Sequence, residues 1–232
     1  MTPEKAYEYA KKYGHLDSFR KFACQSSYYA YWYALDIDKC PRDDTREAAC
    51  KDSCWAYLYA HILDKKPRDD TRASACKEAE YAYCYARDVD GCPREDTREG
   101  ACRSPEFAYN YAYSVDKCPR DDTREGACKD SHWACFYAGL IDKEPRKDTK
   151  EVACKVPEYA FHYASYVDKC PKEDTRKAAC KKAQYAYNYA LYIDKGPRED
   201  TRIAVCEDSE YAYFYAQDVD KEPMDNTRKA AC

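Results

Sequence analysis

The pattern of apolar and polar positions repeats every 26 residues along most of the chain. Residues 25–50 read QSSYYAYWYALDIDKCPRDDTREAAC, and residues 103–128 read RSPEFAYNYAYSVDKCPRDDTREGAC. The eight full repeats, numbered internally from position 1 to position 26, are 25–50, 51–76, 77–102, 103–128, 129–154, 155–180, 181–206 and 207–232. Residues 1–24 form a shorter, altered repeat, whose extra lysines are typical of an end cap with a polar outer face.

Two helices are predicted in each repeat, and the first begins at a capping signal. Ser104 is followed by Pro105 and Glu106, the order of capping residue, first-turn proline and early carboxylate that helix N-termini prefer. Aspartates take the same cap position in three other repeats, as Asp52, Asp130 and Asp208. The apolar run from Phe107 to Lys117 predicts an α-helix of about three turns.

A proline-led turn separates the two helices. Pro119 ends the first helix, because proline excludes helical geometry from the residue before it. Asp122 precedes Glu125 by three residues, a spacing typical of an N-cap residue and its reciprocal partner, so it predicts the start of the second helix. The fold class is therefore predicted to be all-α, an α-solenoid of about nine helix-turn-helix repeats in one continuous domain.

The first helix has an unusually wide face of restricted residues. At 100° per residue, positions 5, 6, 7, 9, 10, 13 and 14 fall on one arc of roughly 200°. They hold aromatic residues, alanines, branched aliphatic residues and an aspartate. A surface helix buries a stripe of about 100° or slightly more, so the wider arc predicts contacts with both neighbouring repeats. Buried tyrosine hydroxyls need hydrogen-bond partners, and Asp116 or nearby arginines are the candidates.

The changing positions of the first helix are the candidate binding surface. The candidate residues are Trp32, Leu58, Cys84, Asn110, Phe136, His162, Asn188 and Phe214 at position 8, and Tyr113, Tyr166 and Tyr192 at positions 11 and 12. Many of these side chains are large and apolar, and a continuous exposed apolar stripe is typical of a contact surface. The alternative is that they fill the groove against the second helix and vary because that packing is loose.

Composition narrows the function classes. The chain has 232 residues and a net charge of −4, so it has no global basic field for nucleic acid or an anionic membrane. An aromatic content of 15% is typical of a folded chain, although 35% of residues are charged. No run of about 18 apolar residues predicts a membrane span, and the first residues carry no apolar signal segment. We therefore predict a cytoplasmic protein without a membrane partner.

Two arginine columns run through the repeats beside columns of aspartate. They are Arg42, Arg68, Arg94, Arg120, Arg146 and Arg198 at position 18, and Arg46, Arg72, Arg98, Arg124, Arg176, Arg202 and Arg228 at position 22. Such columns can bind phosphates. Each position 18 arginine has acidic residues one or two residues away and an aspartate four residues before it. We therefore favour ion pairs between repeats over phosphate binding for both columns.

Cysteine is the third recurring residue type, with 16 in the chain. Position 26 is cysteine in every repeat, whereas position 16, just before the proline, is cysteine in only half of them, at Cys40, Cys92, Cys118 and Cys170. A disulfide framework joining these two sets would leave many cysteines unpaired, so reduced thiols are predicted. Zinc sites need closely spaced ligand pairs. Position 26, which we call the cysteine ladder, is therefore predicted to be a small buried apolar position.

No catalytic or cofactor motif is found. The histidines His15, His61, His132 and His162 lie in different repeats without a repeated carboxylate or cysteine partner. A catalytic triad, a phosphate-binding loop and a dinucleotide fingerprint are absent from the sequence. We predict a protein that is not an enzyme and has no cofactor or metal.

The run Tyr-Ala-Tyr-x-Tyr-Ala-x-x-Val-Asp-Lys at 211–221 resembles short tandem helical repeats of uncharacterised phage and bacterial proteins. Those repeats have a YAYxYA-type helix, a proline-led turn and a second short helix. The resemblance covers nearly the whole chain but departs in the PRDDTR turn and the ladder cysteine. It implies an α-solenoid and a phage or bacterial origin, and it carries over no functional residue.

Three functions remain open at this point. The first is a non-enzymatic scaffold that binds a protein or peptide through the changing face of the first helices. The second is a modular reader of single-stranded nucleic acid, since asparagine, histidine and aromatic residues at position 8 can hydrogen-bond or stack on bases, although the acidic balance opposes it. The third is end-to-end self-association, since the repeat that ends at Cys232 has no evident polar cap.

Overall fold

The computed structural model of the chain describes residues 1–221 and 224–232, so repeat 207–232 is described except for residues 222 and 223. The described residues contain eighteen α-helices and eight π-helical segments, and no β-strand occurs among them. Helix pairs recur at intervals of about 26 residues, which confirms the all-α repeat fold. The chain forms two compact units, Met1–Lys117 and Cys118–Cys232.

Unit 1 holds the altered repeat, three full repeats and the first helix of a fourth. Its α-helices are α1 (Pro3–Tyr13), α2 (Asp17–Ala23), α3 (Ser27–Trp32), α4 (Asp43–Ala49), α5 (Ser53–Leu58), α6 (Asp69–Ala75), α7 (Ala79–Tyr85), α8 (Glu95–Ala101) and α9 (Pro105–Tyr111). Its π-helical segments are π1 (Tyr33–Asp38), π2 (Tyr59–Asp64), π3 (Ala86–Asp90) and π4 (Ala112–Asp116).

Unit 2 continues the same alternation. Its α-helices are α10 (Asp121–Ala127), α11 (Ser131–Tyr137), α12 (Lys147–Ala153), α13 (Pro157–Tyr163), α14 (Glu173–Ala179), α15 (Ala183–Asn188), α16 (Glu199–Val205), α17 (Ser209–Tyr215) and α18 (Asp225–Ala231). Its π-helical segments are π5 (Ala138–Asp142), π6 (Ala164–Asp168), π7 (Tyr189–Asp194) and π8 (Ala216–Asp220).

The first helix of each full repeat changes from α to π geometry half-way along. In a π-helix the N–H bonds to the carbonyl five residues earlier rather than four. The N–H of Lys143, just after π5, donates to the carbonyl of Ala138 at 2.9 Å. Lys143 itself has a left-handed backbone, with φ of 57°. The predicted α-helix Phe107–Lys117 is therefore wrong in its second half, because α9 ends at Tyr111 and π4 begins at Ala112.

The helix N-termini confirm one capping prediction and correct another. Ser104 is the N-cap of α9, with Pro105 in the first turn. The predicted cap carboxylates accept first-turn N–H groups at Asp52, Asp130 and Asp208. For the second helix the prediction is wrong: the N-cap of α10 is Arg120, and Asp122 lies in the first turn, where it accepts from Thr123 N–H at 2.8 Å.

The interior of each unit is built from alanine and tyrosine. The largest fully buried side chains are the position 9 tyrosines Tyr33, Tyr59, Tyr85, Tyr111, Tyr137, Tyr163, Tyr189 and Tyr215. Tyr85 packs on Ala60 and Ala75 of the preceding repeat, so the small side chains make room for the ring. At Gly100 an added Cβ would lie 2.7 Å from Ala82 Cβ, so the two helices are too close there for any larger residue.

Each position 9 tyrosine binds the start of the second helix in the preceding repeat. Tyr59 Oη accepts from Arg42 N–H at 2.8 Å, and it lies 2.8 Å from Thr45 Oγ1 and 3.1 Å from the Arg42 carbonyl oxygen. The hydroxyl therefore caps α4 from outside its own repeat. The prediction that Asp116 or an arginine side chain would be the hydrogen-bond partner of these hydroxyls is wrong at position 9. Threonine and main-chain groups are the partners instead.

A buried ion pair lies beside this tyrosine. Arg46 Nη2 is 2.7 Å from Asp64 Oδ1, and Arg46 Nε is 2.9 Å from Asp64 Oδ2. The two side chains are only 6% and 1% exposed. The arginine Cζ also lies 5.5 Å from the ring centroid of Tyr59. We call the position 9 tyrosine and position 14 aspartate of one repeat, bound to the threonine and arginine at positions 21 and 22 of the preceding repeat, the inter-repeat clamp.

The clamp recurs within both units. The other pairs between positions 22 and 14 are Arg72–Asp90, Arg98–Asp116, Arg124–Asp142, Arg176–Asp194 and Arg202–Asp220. Lys150 replaces the arginine once and reaches Asp168 through a single 2.8 Å contact. The predicted ion pairs between repeats are therefore confirmed for the position 22 column.

The position 18 arginines pair differently from the prediction. Their partners lie in their own repeat: Asp38 for Arg42 at 3.3 Å, and Asp70 for Arg68 at 3.3 Å. Asp38 is buried, whereas Arg68 and Asp70 are both between a third and a half exposed, so the Arg68–Asp70 pair contributes little to stability. The expectation of pairs between repeats is wrong for this column, because the extended backbone at position 18 directs the arginine along its own turn.

The altered repeat 1–24 lacks much of the clamp. Gly14 stands where the other repeats have the position 14 aspartate, and Phe19 replaces the threonine. His15 compensates in part, since its Nδ1 lies 3.0 Å from the hydroxyl of Tyr33. This end of unit 1 is thus built to receive a following repeat but not a preceding one.

We expect Tyr59→Phe to lower the free energy of unfolding by about 1–2 kcal/mol, because the Arg42 N–H loses its acceptor in a partly buried site. The matched control is Tyr113→Phe, whose side chain is 59% exposed and whose loss of a hydroxyl should leave stability unchanged. Chemical denaturation of both variants measures the difference. Equal stabilities for the two would contradict the role given to the buried hydroxyl.

Candidate partner-binding surface

The position 8 residues are neither sealed in the core nor fully exposed. Phe136 is 42% exposed. The other seven, Trp32, Leu58, Cys84, Asn110, His162, Asn188 and Phe214, are half-buried. In unit 1, Trp32 packs against two core clusters, and its indole Nε1 is buried without a hydrogen-bond partner among the described residues. For Trp32 the structure favours the packing alternative over a binding role.

Position 12 divides into two classes according to its contact with the preceding repeat. Where position 12 is polar, it hydrogen-bonds to the position 7 tyrosine of that repeat. The pairs are Tyr7–Asp36, Tyr57–Asp88, Tyr83–Ser114 and Tyr187–Asp218, at 2.5 to 3.1 Å. These members of the changing face are therefore tied to the scaffold.

Where position 12 is apolar, the side chain projects into solvent. Tyr166 is 67% exposed and Tyr192 is 61% exposed. The position 7 residues of the preceding repeats are Cys135 and Phe161 respectively. Neither has the hydroxyl that hydrogen-bonds to position 12 elsewhere. At position 12 of unit 2, the exposed aromatic side chains thus occur where this hydrogen bond is missing.

A groove lies between the first helices of two neighbouring repeats in unit 2, formed by α11–π5 and α13–π6. Its volume is about 710 Å³, within the range of ligand-binding clefts. The aromatic and aliphatic lining includes Phe136, Leu140, Tyr159 and Tyr166. Of the predicted binding residues, the groove brings together Phe136, His162 and Tyr166. Tyr113 lies in unit 1, and Tyr192 does not line the groove.

Two imidazoles line the same groove. The His132 ring centroid lies 4.6 Å from Phe136 and 5.3 Å from Tyr159. His162 stacks on Tyr166 at 5.8 Å between centroids. The Nδ1 atom of His162 is buried and has no hydrogen-bond partner among residues 1–221 and 224–232.

One acid and one lysine complete the groove. Glu158 Oε1 is 3.9 Å from His162 Nε2, and the negative charge of Glu158 adds to burial in raising the pKa of Tyr185. Lys169 forms no ion pair with any described residue. Its backbone is left-handed, with φ of 54°, a conformation that favours glycine.

Lysine holds this left-handed position in seven repeats. The residues are Lys39, Lys65, Lys117, Lys143, Lys169, Lys195 and Lys221, and only Gly91 relieves the strain. Sequence reasoning missed these lysines, together with His132, Tyr159 and Glu158. The available signal was lysine at position 15 in every full repeat but one, directly after the buried aspartate.

The cysteine ladder is half-buried rather than fully buried as predicted, except for Cys232, which is exposed. The thiols lie at the C-cap of each second helix, at the edge of the interior. Burial raises the pKa of Cys50 to about 11 and that of Cys76 to about 12. Every cysteine is a free thiol. In the described residues, no group of three or more His, Cys, Asp or Glu side chains is arranged to hold a metal ion.

Comparisons with protein-family models, with curated proteins and with solved structures find no match to this chain. Over residues 1–221 and 224–232, no helix combines the length and apolar character needed to cross a membrane. The resemblance to phage and bacterial helical repeats therefore stays a prediction.

We expect the two cysteine sets to react at different rates. Cys40 and Cys92 are exposed, whereas burial keeps Cys50 and Cys76 protonated and shielded. At about pH 8, iodoacetamide should alkylate the exposed pair more than about tenfold faster, because the thiolate is the nucleophile. Mass spectrometry of quenched samples gives the rates, with the denatured chain as the control in which all four react alike. Similar rates in the folded chain would contradict this account.

Proposed function

We propose that the chain is a non-enzymatic repeat scaffold that binds a protein or peptide through the first-helix face of unit 2. The observation that carries the proposal is the set of exposed apolar side chains at positions 8 and 12 of consecutive repeats. They are Phe136, Leu140, Tyr166 and Tyr192, each between 42% and 67% exposed. In unit 1, position 12 is occupied by Asp88 and Ser114 in two repeats, so the fold does not require an apolar residue at position 12.

The chemistry of these side chains supports a contact surface. Tyrosine and phenylalanine bury large areas with little loss of conformational freedom, which is why aromatic residues are enriched where protein interfaces derive most of their energy. The rigid clamp beneath fixes the helices that carry them. A partner would therefore meet a preformed surface rather than one that orders on binding.

Nucleic acid receives less support as the partner. The turns carry aspartates whose side chains are almost completely exposed: Asp43 at 99%, Asp69 at 100% and Asp121 at 98%. A phosphate backbone approaching these turns would meet negative charge. Head-to-tail self-association also receives less support, because Gly14 removes the aspartate that an arginine of a preceding repeat would need.

Selection from a random-peptide library on the immobilised chain tests the proposal. We expect the selected peptides to bind about 100-fold more weakly to the variant Phe136→Ser, Tyr166→Ser, Tyr192→Ser, since three anchor side chains are lost. The control variant is Tyr13→Ser, Ile203→Ser, which removes two exposed apolar side chains elsewhere and should bind normally.

Circular dichroism would confirm that both variants keep the helical content of the parent chain. Undiminished binding to the triple variant, or a selection that yields no specific peptide, would overturn the proposal. Binding of single-stranded oligonucleotides that tightens steeply as salt falls would point instead to the nucleic-acid alternative.

A further inference from the structure

We propose that the groove between α11–π5 and α13–π6 binds an aromatic side chain that is followed by a carboxylate, as in an acidic peptide segment with one aromatic anchor. The inference rests on the proposed function and deepens it, because it names the chemistry of the partner and one binding pocket. Three features of the groove lead to it: the glycine in its lining, its aromatic walls and a lysine that forms no ion pair with any described residue.

The floor of the groove is open because position 11 is glycine in this repeat alone. The other repeats have Leu, His, Arg, Tyr, Ser or Gln at this position. A Cβ built on Gly139 would meet only Val167 Cγ2, at an ordinary contact distance of 3.7 Å. The backbone of Gly139 has no positive φ. Neither packing nor conformation therefore requires glycine, and Gly139 lines the space of about 710 Å³ without a side chain that extends into it.

The walls of the groove favour a flat aromatic occupant. Phe136, Tyr159 and Tyr166 line it together with two imidazole rings, so several ring faces and edges border one space. Aromatic rings prefer offset or edge-to-face contacts with other rings at centroid distances of about 4.5–7 Å. An indole or phenol ring placed in the groove can make several such contacts at once.

Lys169 is the group of the lining that can bind a carboxylate. Glu158, the acid of the same lining, lies 3.9 Å from His162 Nε2. Lys169 has no acidic partner among the described residues, although Asp168 beside it is buried against Lys150. The turn does not need a lysine, since Gly91 takes the same left-handed conformation in another repeat. One cation at an aromatic groove is complementary to an anion attached to an aromatic group.

N-acetyl-L-tryptophan is the probe for the full chain, and its neutral analogue N-acetyl-L-tryptophanamide is the comparison. We expect titration calorimetry to give a dissociation constant of about 0.1–1 mM for the acid, as for a well-placed small ligand. The amide should bind about tenfold more weakly. Lys169→Gln should reduce the acid to the affinity of the amide, while Lys195→Gln, at the same position of the next repeat, should change neither.

Filling the groove tests its location. Gly139→Phe places a ring in the open floor and should weaken the acid more than tenfold, whereas Gln217→Phe, at the same position of another repeat, should not. Tyr166→Ala provides a second test if Gly139→Phe fails to fold, because this exposed wall residue can be truncated without disturbing the interior. It should weaken the acid by a similar factor.

The imidazole NMR signals of His132 and His162, assigned with His→Gln variants, should shift during the titration. Equal affinity for acid and amide, or binding unchanged by Gly139→Phe and Tyr166→Ala, would overturn the inference. The proposed function survives that result if library peptides still depend on Phe136, Tyr166 and Tyr192. It fails separately if no peptide depends on them.

Discussion

The contact between the first helix of one repeat and the start of the second helix of the preceding repeat constrains most of this structure. A tyrosine hydroxyl caps the helix, and an aspartate with less than 3% of its side chain exposed pairs with an arginine stacked on the same tyrosine ring. Burial raises the pKa of Asp90 even though Arg72 lies 2.9 Å away and lowers it. Asp90 in turn raises the pKa of Arg72 against the effect of burial, so desolvation and attraction oppose each other in this pair. Such pairs contribute more to the choice of register than to net stability.

The clamp divides the repeat into constrained and free positions. Positions 9, 14, 21 and 22 hold the layers together, and the π-helical segment brings the position 14 aspartate to its arginine. Positions 8, 11 and 12 vary, but not all are free, because Asp88 and Asp218 tie back to tyrosines of the preceding repeats. Position 12 is free to contact a partner where its hydrogen bond to the preceding repeat is missing, as at Tyr166 and Tyr192. The candidate surface is therefore a local departure from the repeat pattern.

The sequence was sufficient to predict the helix pairs and the arginine–aspartate pairs at position 22. It was not sufficient for the π-helical half of each first helix, because a 100° rotation per residue assumes uniform α geometry through Lys117. Local capping rules also misplaced the N-cap of α10, since the group that caps Arg120 is the hydroxyl of Tyr137, which is distant in sequence. The groove depends on Gly139 and two neighbouring helices, and no single-repeat pattern reveals it.

A double-mutant cycle on Arg124 and Asp142, a clamp pair within unit 2, tests the central claim most directly. Both side chains are at least 94% buried. We expect Arg124→Met and Asp142→Leu each to destabilise the chain by about 3–5 kcal/mol, because each leaves an uncompensated buried charge. The double variant should lose less than the sum of the two, with a coupling energy of at least about 2 kcal/mol by chemical denaturation. Small and additive losses would show that the pair does not hold the repeats in register, and the account would be wrong.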